Sequence, residues 1–353
     1  MTVWIAAWLP FSLALLFLTV PGIVIAMAAG LRSMSVLALA PVLSISVLSV
    51  TAIGAPLVGL SWGIIPAGLG TLLTAGATLL IRRGFAKKFG GSTALTRFSY
   101  PFTPASTVAL VLGAAVLLYR LARIFGSPDY VSQTADNIFH LNAVRYVLES
   151  GSASSLALGA ASGGSPTFYP AAWHGLAALI AQSSGASIPV AVASLNLVIG
   201  CVVWPLSMWF LCRTLFGGSA AMNVAFAVLI SSFSAFPYLL IDWGVLYPNY
   251  LGIAALPAVF GMAILLFRHR GFASIQGAIL SWLALVGLAG ITLSHPNSLL
   301  TLIVLSVPYL VGRLRRPSFT ANLVRPLDKA ARLPILGSVL LAVALCAGWF
   351  VLR

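Results

Sequence analysis

Apolar stretches of about 20 residues recur along the whole of this 353-residue chain. A helix rises 1.5 Å per residue, so about 20 apolar residues cross the roughly 30 Å of hydrocarbon in a bilayer. The stretches run approximately from 5 to 29, 35 to 54, 57 to 81, 105 to 125, 189 to 212, 220 to 241, 250 to 267, 275 to 293, 298 to 312 and 335 to 352. The pattern predicts an all-α fold, a polytopic bundle of about ten transmembrane helices.

Composition supports a membrane protein and argues against other classes. Hydrophobic residues make up 60% of the chain and charged residues only 7%, against roughly 25% charged residues in a soluble domain. The three cysteines have no CxxC or metal-ligand spacing, so redox and disulfide chemistry are not indicated. The net charge is +14. Because the lysine and arginine residues lie between the apolar stretches, we interpret them as a topology signal. We therefore expect a lipid bilayer, and no nucleic acid, as partner; the oligomeric state stays open.

The positive charges predict an orientation, because lysine and arginine gather in cytoplasmic loops. With the N-terminus outside, one threading of about ten spans places nearly all of the 19 lysine and arginine residues inside. The exceptions are Arg120, Arg123, Arg145 and Arg353. Only Asp328 of the five acids then lies inside, while His140, His174 and His295 lie outside. We expect a multi-pass protein of the plasma membrane with its reactive side chains at the extracytoplasmic face.

The chain divides at about residue 104. Residues 1–104 hold three apolar stretches and a basic cytoplasmic loop. Residues 105–353 hold the remaining stretches and the longest polar segment, an outer loop at 126–169. A loop of that length in a compact protein is usually functional or disordered.

In the first half of this loop, the apolar residues at 136–149 have helical spacing, which predicts an amphipathic helix against the membrane surface. Its apolar face is made of Ile138, Leu141, Val144 and Leu148. The second half is rich in glycine and serine. That composition predicts either a slack linker or a segment that orders over a bound substrate.

Asp136 and His140 are four residues apart, so on a helix they share one side. Together they could hold Mg²⁺ or Mn²⁺ beside a phosphate leaving group. Alternatively a carboxylate, Asp136 or Asp129, acts as general base toward an acceptor hydroxyl. The plainer alternatives are a turn at Asp129 after Pro128 and a helix N-cap at Asp136.

Three further outer residues are candidate substrate ligands. Arg145 precedes Glu149 by four residues, which predicts a surface salt bridge, with phosphate binding by Arg145 as the alternative. Asp242 ends an apolar stretch, where an acid needs water or a partner, so a cavity is expected there. His295 flanks Pro296 and is either part of a helix-capping turn or a substrate ligand.

The apolar stretch at 170–180 is too short to cross a bilayer and predicts a re-entrant or interfacial helix. Tyr169, Trp173 and His174 cluster at its start. Aromatic rings favour the membrane interface in any protein, so Tyr169 and Trp173 are either interfacial anchors or substrate ligands. His174 is a stronger candidate, because imidazole is not a routine residue of the lipid belt.

Two motifs carry a resemblance to known proteins: DNIFHLNAVRYVLESG at 136–151 and FYPAAWHGLAALI at 168–180. They resemble an actinobacterial family of multi-spanning membrane proteins of unassigned function, which is similar to the GT-C glycosyltransferases. The resemblance covers the chain from about residue 105 onward. It implies a GT-C-like membrane core, possessing one large extracytoplasmic loop.

The resemblance also implies an activity. GT-C enzymes take a polyprenyl-phosphate-linked sugar as donor, and the acceptor would be a cell-envelope glycan or protein. The essential acid would be Asp136, or Asp129 under another threading, and His140 and His174 would line the donor phosphate site. The wider class commonly carries a soluble domain after its last span, whereas this chain ends at Arg353. The resemblance thus implies a truncated form, or one without the acceptor-binding part.

Two other classes compete with the enzyme hypothesis. A transporter or flippase predicts ionisable residues at the bilayer midplane and broken helices in matching halves of the chain. The sequence places no Asp, Glu, Lys or Arg near the centre of a predicted span. A non-catalytic scaffold of envelope biogenesis is the third class, and it predicts that the loss of Asp136 leaves function intact.

Overall fold

The structure, a computed structural model, describes residues 2–89, 95, 98–268 and 275–315. Within these ranges the chain is helical and forms no strand. The helices are α1 Trp8–Ala28, α2 Met34–Gly54, α3 Ile64–Phe89, α4 Pro104–Phe125, α5 Ala135–Ser150, α6 Ala172–Ser184, α7 Ile188–Val198, α8 Trp204–Phe216, α9 Ala220–Leu229, α10 Leu240–Asp242, α11 Tyr247–Arg268, α12 Ile275–Ser294 and α13 Pro296–Arg315. Short 3₁₀ or π turns lie at Thr2–Ala7, Ala55–Val58, Leu158–Ser162, Ile199–Val203 and Ser234–Leu239.

The described residues contain eight helical segments long and apolar enough to cross a membrane. They are Trp4–Ala28, Met34–Val58, Ile64–Lys88, Pro104–Phe125, Ile188–Phe216, Ala220–Asp242, Tyr247–Arg268 and Ile275–Ser294. These segments confirm the first eight predicted spans and a multi-pass membrane protein. The ninth stretch corresponds to α13, whose apolar part, Pro296–Val311, is shorter. The stretch at 335–352 lies outside the described residues.

Helices α1 and α2 form the tightest contact that the structure shows between spans. A Cβ atom on Gly22 would lie 1.8 Å from the carbonyl oxygen of Ala40, so the two backbones touch. The Gly22 amide also donates a hydrogen bond to the Ser44 hydroxyl, at 2.8 Å. Small residues permit this close approach in lipid, where helix association depends on packing and interhelical hydrogen bonds.

Two consecutive spans are interrupted. The span Ile188–Phe216 widens into the π turn at Ile199–Val203, between α7 and α8. The span Ala220–Asp242 leaves helical geometry at Phe236, whose φ is −131° and ψ 131°. Backbone groups released by such interruptions must find partners inside the protein, because lipid offers none.

Arg120 supplies one of these partners. Its Nη1 donates a hydrogen bond to the Ser231 carbonyl at 2.8 Å, and its guanidinium carbon lies 3.8 Å from the ring centroid of Tyr238. The Tyr238 hydroxyl donates to the same carbonyl at 2.9 Å. Arg120 is thus held by the interrupted span.

The two ends of the bundle differ in the residues they carry. We call one the basic end. Arg213 and Arg268 lie there in the last turns of α8 and α11, and Arg82 lies about two turns before the end of α3. We call the other the histidine end, where His140 lies beside Tyr247, the first residue of α11. Because α11 runs from Tyr247 to Arg268, it connects one end to the other.

Candidate functional site

Helix α5 carries the first part of the site. Its N-cap is Thr134, whose side chain accepts a hydrogen bond from the Asn137 amide at 3.3 Å. Gly151 ends the helix with a φ of 67°, a left-handed conformation that favours glycine. The predicted helix is confirmed. The alternative that Asp136 is its N-cap is wrong, because Asp136 lies within the first turn.

The buried face of α5 is rotated from the predicted one. Ile138 is 60% exposed, whereas the buried residues are Asn137, His140, Ala143, Val144 and Val147. The prediction of the buried face was wrong because it counted only apolar residues, whereas the polar residue His140 also faces inward. A buried imidazole costs little when it finds a hydrogen-bond partner, and His140 finds one.

That partner is His174, at the start of α6. The His140 Nδ1 and His174 Nε2 atoms lie 3.0 Å apart, and His174 is fully buried. Burial lowers the pKa of His140 to about 4, an effect that the Asp136 charge and the Val245 backbone partly oppose. Burial, together with the nearby His140, holds the pKa of His174 well below its usual range. At neutral pH both rings are uncharged, so one donates and the other accepts.

Aromatic rings surround the histidine pair. Trp173 stacks on Tyr247 with a centroid distance of 4.9 Å and an interplanar angle of 26°, and its Nε1 donates to the Asn196 side chain at 3.0 Å. The His140 ring lies 5.5 Å from that of Tyr247. Trp173 is fully buried, so it is not an interfacial anchor.

Helix α6 lies inside the protein rather than on the membrane surface. Every residue at 172–181 is buried, and the helix packs against α1, α5 and α7. A helix too short to span is tolerated at membrane depth when protein encloses it. The structure therefore shows a helix enclosed by its neighbours and not one exposed on the surface.

A cavity of about 380 Å³ opens beside the histidine pair. It is lined by Asp136, Phe139, His140, Ser162, Tyr169, Leu246, Pro248, Asn249 and His295. Burial, and then the negative charge of Asp136, raises the pKa of Tyr169, which stays a hydrogen-bond donor at neutral pH. The Asn249 Oδ1 atom is enclosed and accepts no hydrogen bond from the described residues. Asp136 likewise makes no hydrogen bond or ion pair with them.

The glycine- and serine-rich part of the loop forms one wall of this cavity. The Tyr169 amide donates to the Ser155 carbonyl at 2.9 Å, and the Gly159 amide donates to the Thr167 carbonyl at 3.0 Å. These hydrogen bonds fold the segment back on itself and bring Ser162 to the cavity. In the structure the segment is therefore folded by its own hydrogen bonds, with Ser162 at the cavity.

Three predicted site residues lie away from the cavity. Ser127 donates to Asp129 Oδ1 at 2.5 Å, which lowers the pKa of this exposed acid and agrees with the predicted turn. Arg145 Nε lies 2.7 Å from Glu149 Oε1, and their side chains are 70% and 63% exposed. This confirms the surface salt bridge. The third, Asp242, borders a separate cavity of about 40 Å³.

His295 forms the predicted turn and also borders the cavity. Its Nδ1 accepts a hydrogen bond from the Asn297 amide at 3.2 Å, which confirms the capping turn between α12 and α13. Its ring also borders the larger cavity. Burial lowers the pKa of His295, so it too is neutral at pH 7.

The sequence interpretation missed Ser162, Asn249 and the apolar wall at Leu246 and Pro248. Asn249 follows a proline at the start of a span, and a polar residue at that position was the one available signal. Ser162 carried no signal, because it lies within a uniform run of small residues.

The predicted Mg²⁺ or Mn²⁺ ion fits these residues poorly. Among the described residues no three His, Cys, Asp or Glu side chains gather around one point. Of the two predicted ligands, His140 has its Nδ1 engaged by His174. Asp136 alone could contribute one oxygen ligand beside donor phosphate oxygens and water, which is how Mg²⁺ is often held.

The fold and the cavity define a multi-pass helical membrane protein with a polar cavity at one end of its bundle. Residues 15–353 match the model of the family DUF6541, which is described as a family of unknown function. The chain therefore belongs to that family. No curated protein and no solved structure matches this chain.

Proposed function

We propose that the chain is a GT-C-type membrane glycosyltransferase, which moves a sugar from a polyprenyl-phosphate-linked donor to a cell-envelope glycan or protein. One observation supports this above others: an acid without a bonding partner among the described residues, Asp136, faces a cavity of about 380 Å³ with neutral donors and acceptors around it. Cavities of about 300–1,000 Å³ are typical of small-molecule sites.

Asp136 is the proposed general base. It takes the proton of the acceptor hydroxyl as that oxygen attacks the anomeric carbon of the sugar. The bond from the anomeric carbon to the phosphate oxygen breaks, and polyprenyl phosphate or diphosphate leaves with the bonding electrons. Asp129 and Glu149 are poor bases by comparison, because Ser127 and Arg145 already engage their carboxylates.

The other cavity residues are assigned to sugar recognition. Sugar hydroxyls donate and accept hydrogen bonds, so the Asn249 Oδ1 atom can accept from one. The Tyr169 hydroxyl and the His295 ring supply further polar contacts. His174 does not line the cavity and is a positioning residue, since it fixes the His140 ring from behind. No step of the proposed reaction requires a metal.

A transporter or flippase is the alternative, and the two interrupted spans favour it. Transporters built from repeats place such interruptions in corresponding halves of the chain. Here both interruptions, at Ile199–Val203 and near Phe236, fall in consecutive spans of the second half. The enzyme remains the better proposal, because the cavity lies at a helix end and not midway along these spans.

Turnover by purified protein tests the proposal. The full chain in lipid nanodiscs is given labelled polyprenyl-linked sugars, and release of polyprenyl phosphate or diphosphate is measured. We expect turnover by wild type and its loss in Asp136→Asn. Glu149→Gln is the matched control, because it removes an acid from the same helix outside the cavity. Absence of wild-type turnover across a donor panel would contradict the proposal, and equal turnover by Asp136→Asn would remove Asp136 as the base.

The proposed reaction requires the histidine end to face outside, in the plasma membrane. Single cysteines at Ser132, Ser152 and Lys87 in a cysteine-free background test this in intact cells. A membrane-impermeant maleimide should label the first two and spare the third. The reverse labelling would invert the protein and exclude an extracytoplasmic reaction.

A further inference from the structure

Two arginines at the basic end converge on one tyrosine and threonine. Arg268 donates a hydrogen bond through Nη1 to the Thr214 carbonyl, and the Tyr100 hydroxyl lies 3.1 Å from Thr214 Oγ1. The guanidinium carbon of Arg213 lies 5.5 Å from the centroid of the Tyr100 ring. These contacts bring the ends of α8 and α11 together with the segment before α4.

The donors of these guanidinium groups are not all used. The Nε and Nη2 atoms of Arg268 are enclosed, yet they meet no acceptor among the described residues. Arg213 donates no hydrogen bond to them either. Within the same residues the one ion pair is Arg145 with Glu149, at the histidine end, so no described carboxylate pairs with Arg213 or Arg268.

An enclosed cation with unused donors is costly unless an anion pairs with it. The planar fork of arginine matches the oxygens of a phosphate group. The two arginines also lie at the ends of membrane spans, the depth at which lipid head groups meet the protein. Basic pockets between transmembrane helices bind anionic lipid head groups at this depth.

We propose that Arg213, Arg268 and the Tyr100 hydroxyl form a binding site for a phosphate group, carried by an anionic membrane lipid or by free phosphate. The site lies at the opposite end of the bundle from the cavity around Asp136. It therefore does not depend on the proposed glycosyl transfer. Its ligand would stabilise the ends of α8 and α11 against each other.

Native mass spectrometry of the full chain tests the lipid source. Protein is released from nanodiscs that contain equal amounts of phosphatidylglycerol and phosphatidylcholine, and the retained lipids are counted. Wild type is compared with Arg213→Gln and Arg268→Gln. Arg83→Gln is the matched control, because Arg83 is an exposed arginine at the same end and its loss removes the same charge.

We expect wild type to retain phosphatidylglycerol in preference to phosphatidylcholine. Loss of either arginine at the basic end should lower that preference about fivefold, given the usual contribution of one arginine near a charged membrane. Arg83→Gln should keep the wild-type preference. If Arg268→Gln fails to fold, Arg213→Gln decides alone, because Arg213 makes no hydrogen bond with the described residues.

A second arm tests free phosphate. Inorganic phosphate is added to the protein in neutral detergent, with chloride at equal ionic strength as reference, and the unfolding temperature is measured. A rise in wild type that is absent in Arg213→Gln supports a site for the free ion; the lipid preference without such a rise supports the head group. No loss of lipid preference in either variant, together with no phosphate-specific rise, would overturn the proposal and leave the arginines as helix C-terminal charges.

Discussion

The cavity side of α5 and its outer surface use the same residue types differently. Away from the cavity the acids are engaged: Ser127 bonds Asp129 in the turn before α5, and Arg145 pairs with Glu149 on the outer surface of the helix. On the cavity side Asp136 has no such partner among the described residues, and His140 is held by His174 instead. A paired acid stabilises the fold, whereas an unpaired acid beside a cavity is available to a substrate. The four predictions below test that difference.

Asp136→Asn should have the largest effect. Loss of a general base typically lowers a rate by about 10²–10⁴-fold, and we expect a loss of this size in the release of polyprenyl phosphate. Asp129→Asn should retain wild-type turnover, because its carboxylate lies outside the cavity. Equal losses in Asp136→Asn and Asp129→Asn would erase the distinction between the two regions.

The histidine pair should make stability depend on pH. An unfolded histidine has a pKa of about 6.5, whereas burial lowers that of His140 to about 4. The unfolded state therefore binds more protons below pH 6.5, so the stability present at neutral pH is lost as the pH falls toward 4. We expect a loss of up to about 3 kcal/mol, measured as chemical or thermal unfolding in nanodiscs.

Removal of the pair is the control for that pH dependence. The double variant His140→Phe with His174→Phe should be nearly insensitive to pH over this range. His295→Asn should keep most of the dependence, because His295 lies outside the pair. A double variant with the full wild-type pH dependence would show that other groups cause it.

Trp173→Phe should destabilise the protein by about 2 kcal/mol, since it leaves the buried Asn196 oxygen without its donor. The unfolding temperature in nanodiscs is the measurement. Trp243→Phe is the matched control, because Trp243 is 82% exposed. Equal destabilisation by the two substitutions would contradict a special contribution from the buried ring.

Glu149→Gln should have the smallest effect. An exposed salt bridge contributes at most about 1 kcal/mol, so both unfolding temperature and turnover should stay near the wild-type values. A large loss of turnover would place Arg145 or Glu149 in the site and break the proposed difference between the two sides of α5.

The sequence was sufficient for features that depend on local spacing. Apolar length predicted eight spans that the structure contains, and four-residue spacing placed Asp136 and His140 on one side of α5. It failed where tertiary contacts decide the outcome. The inward turn of His140 depends on His174, which is 34 residues away in sequence. No local pattern reports such a partner.

The cavity itself illustrates the same limit. Its walls come from α5, the turn at Leu158–Ser162, the start of α11 and the junction of α12 with α13. Asn249 lines the same cavity as Asp136 only because α11 lies near α5 and α6. Composition alone does not reveal that arrangement. The fold of the glycine- and serine-rich segment was equally hidden from the sequence, because it depends on hydrogen bonds to Ser155 and Thr167 from residues further along or further back in the chain.

The central claim is that the cavity beside Asp136 binds the sugar of a lipid-linked donor. Photo-crosslinking tests it most directly, with a polyprenyl-phosphate sugar that carries the photoreactive group on the sugar ring. Peptide mapping should find the label on cavity residues such as Phe139, Tyr169 or Leu246, and unlabelled donor should compete it away. Competable label confined to the separate apolar groove at Met208 and Phe226, with none in the cavity, would contradict the claim.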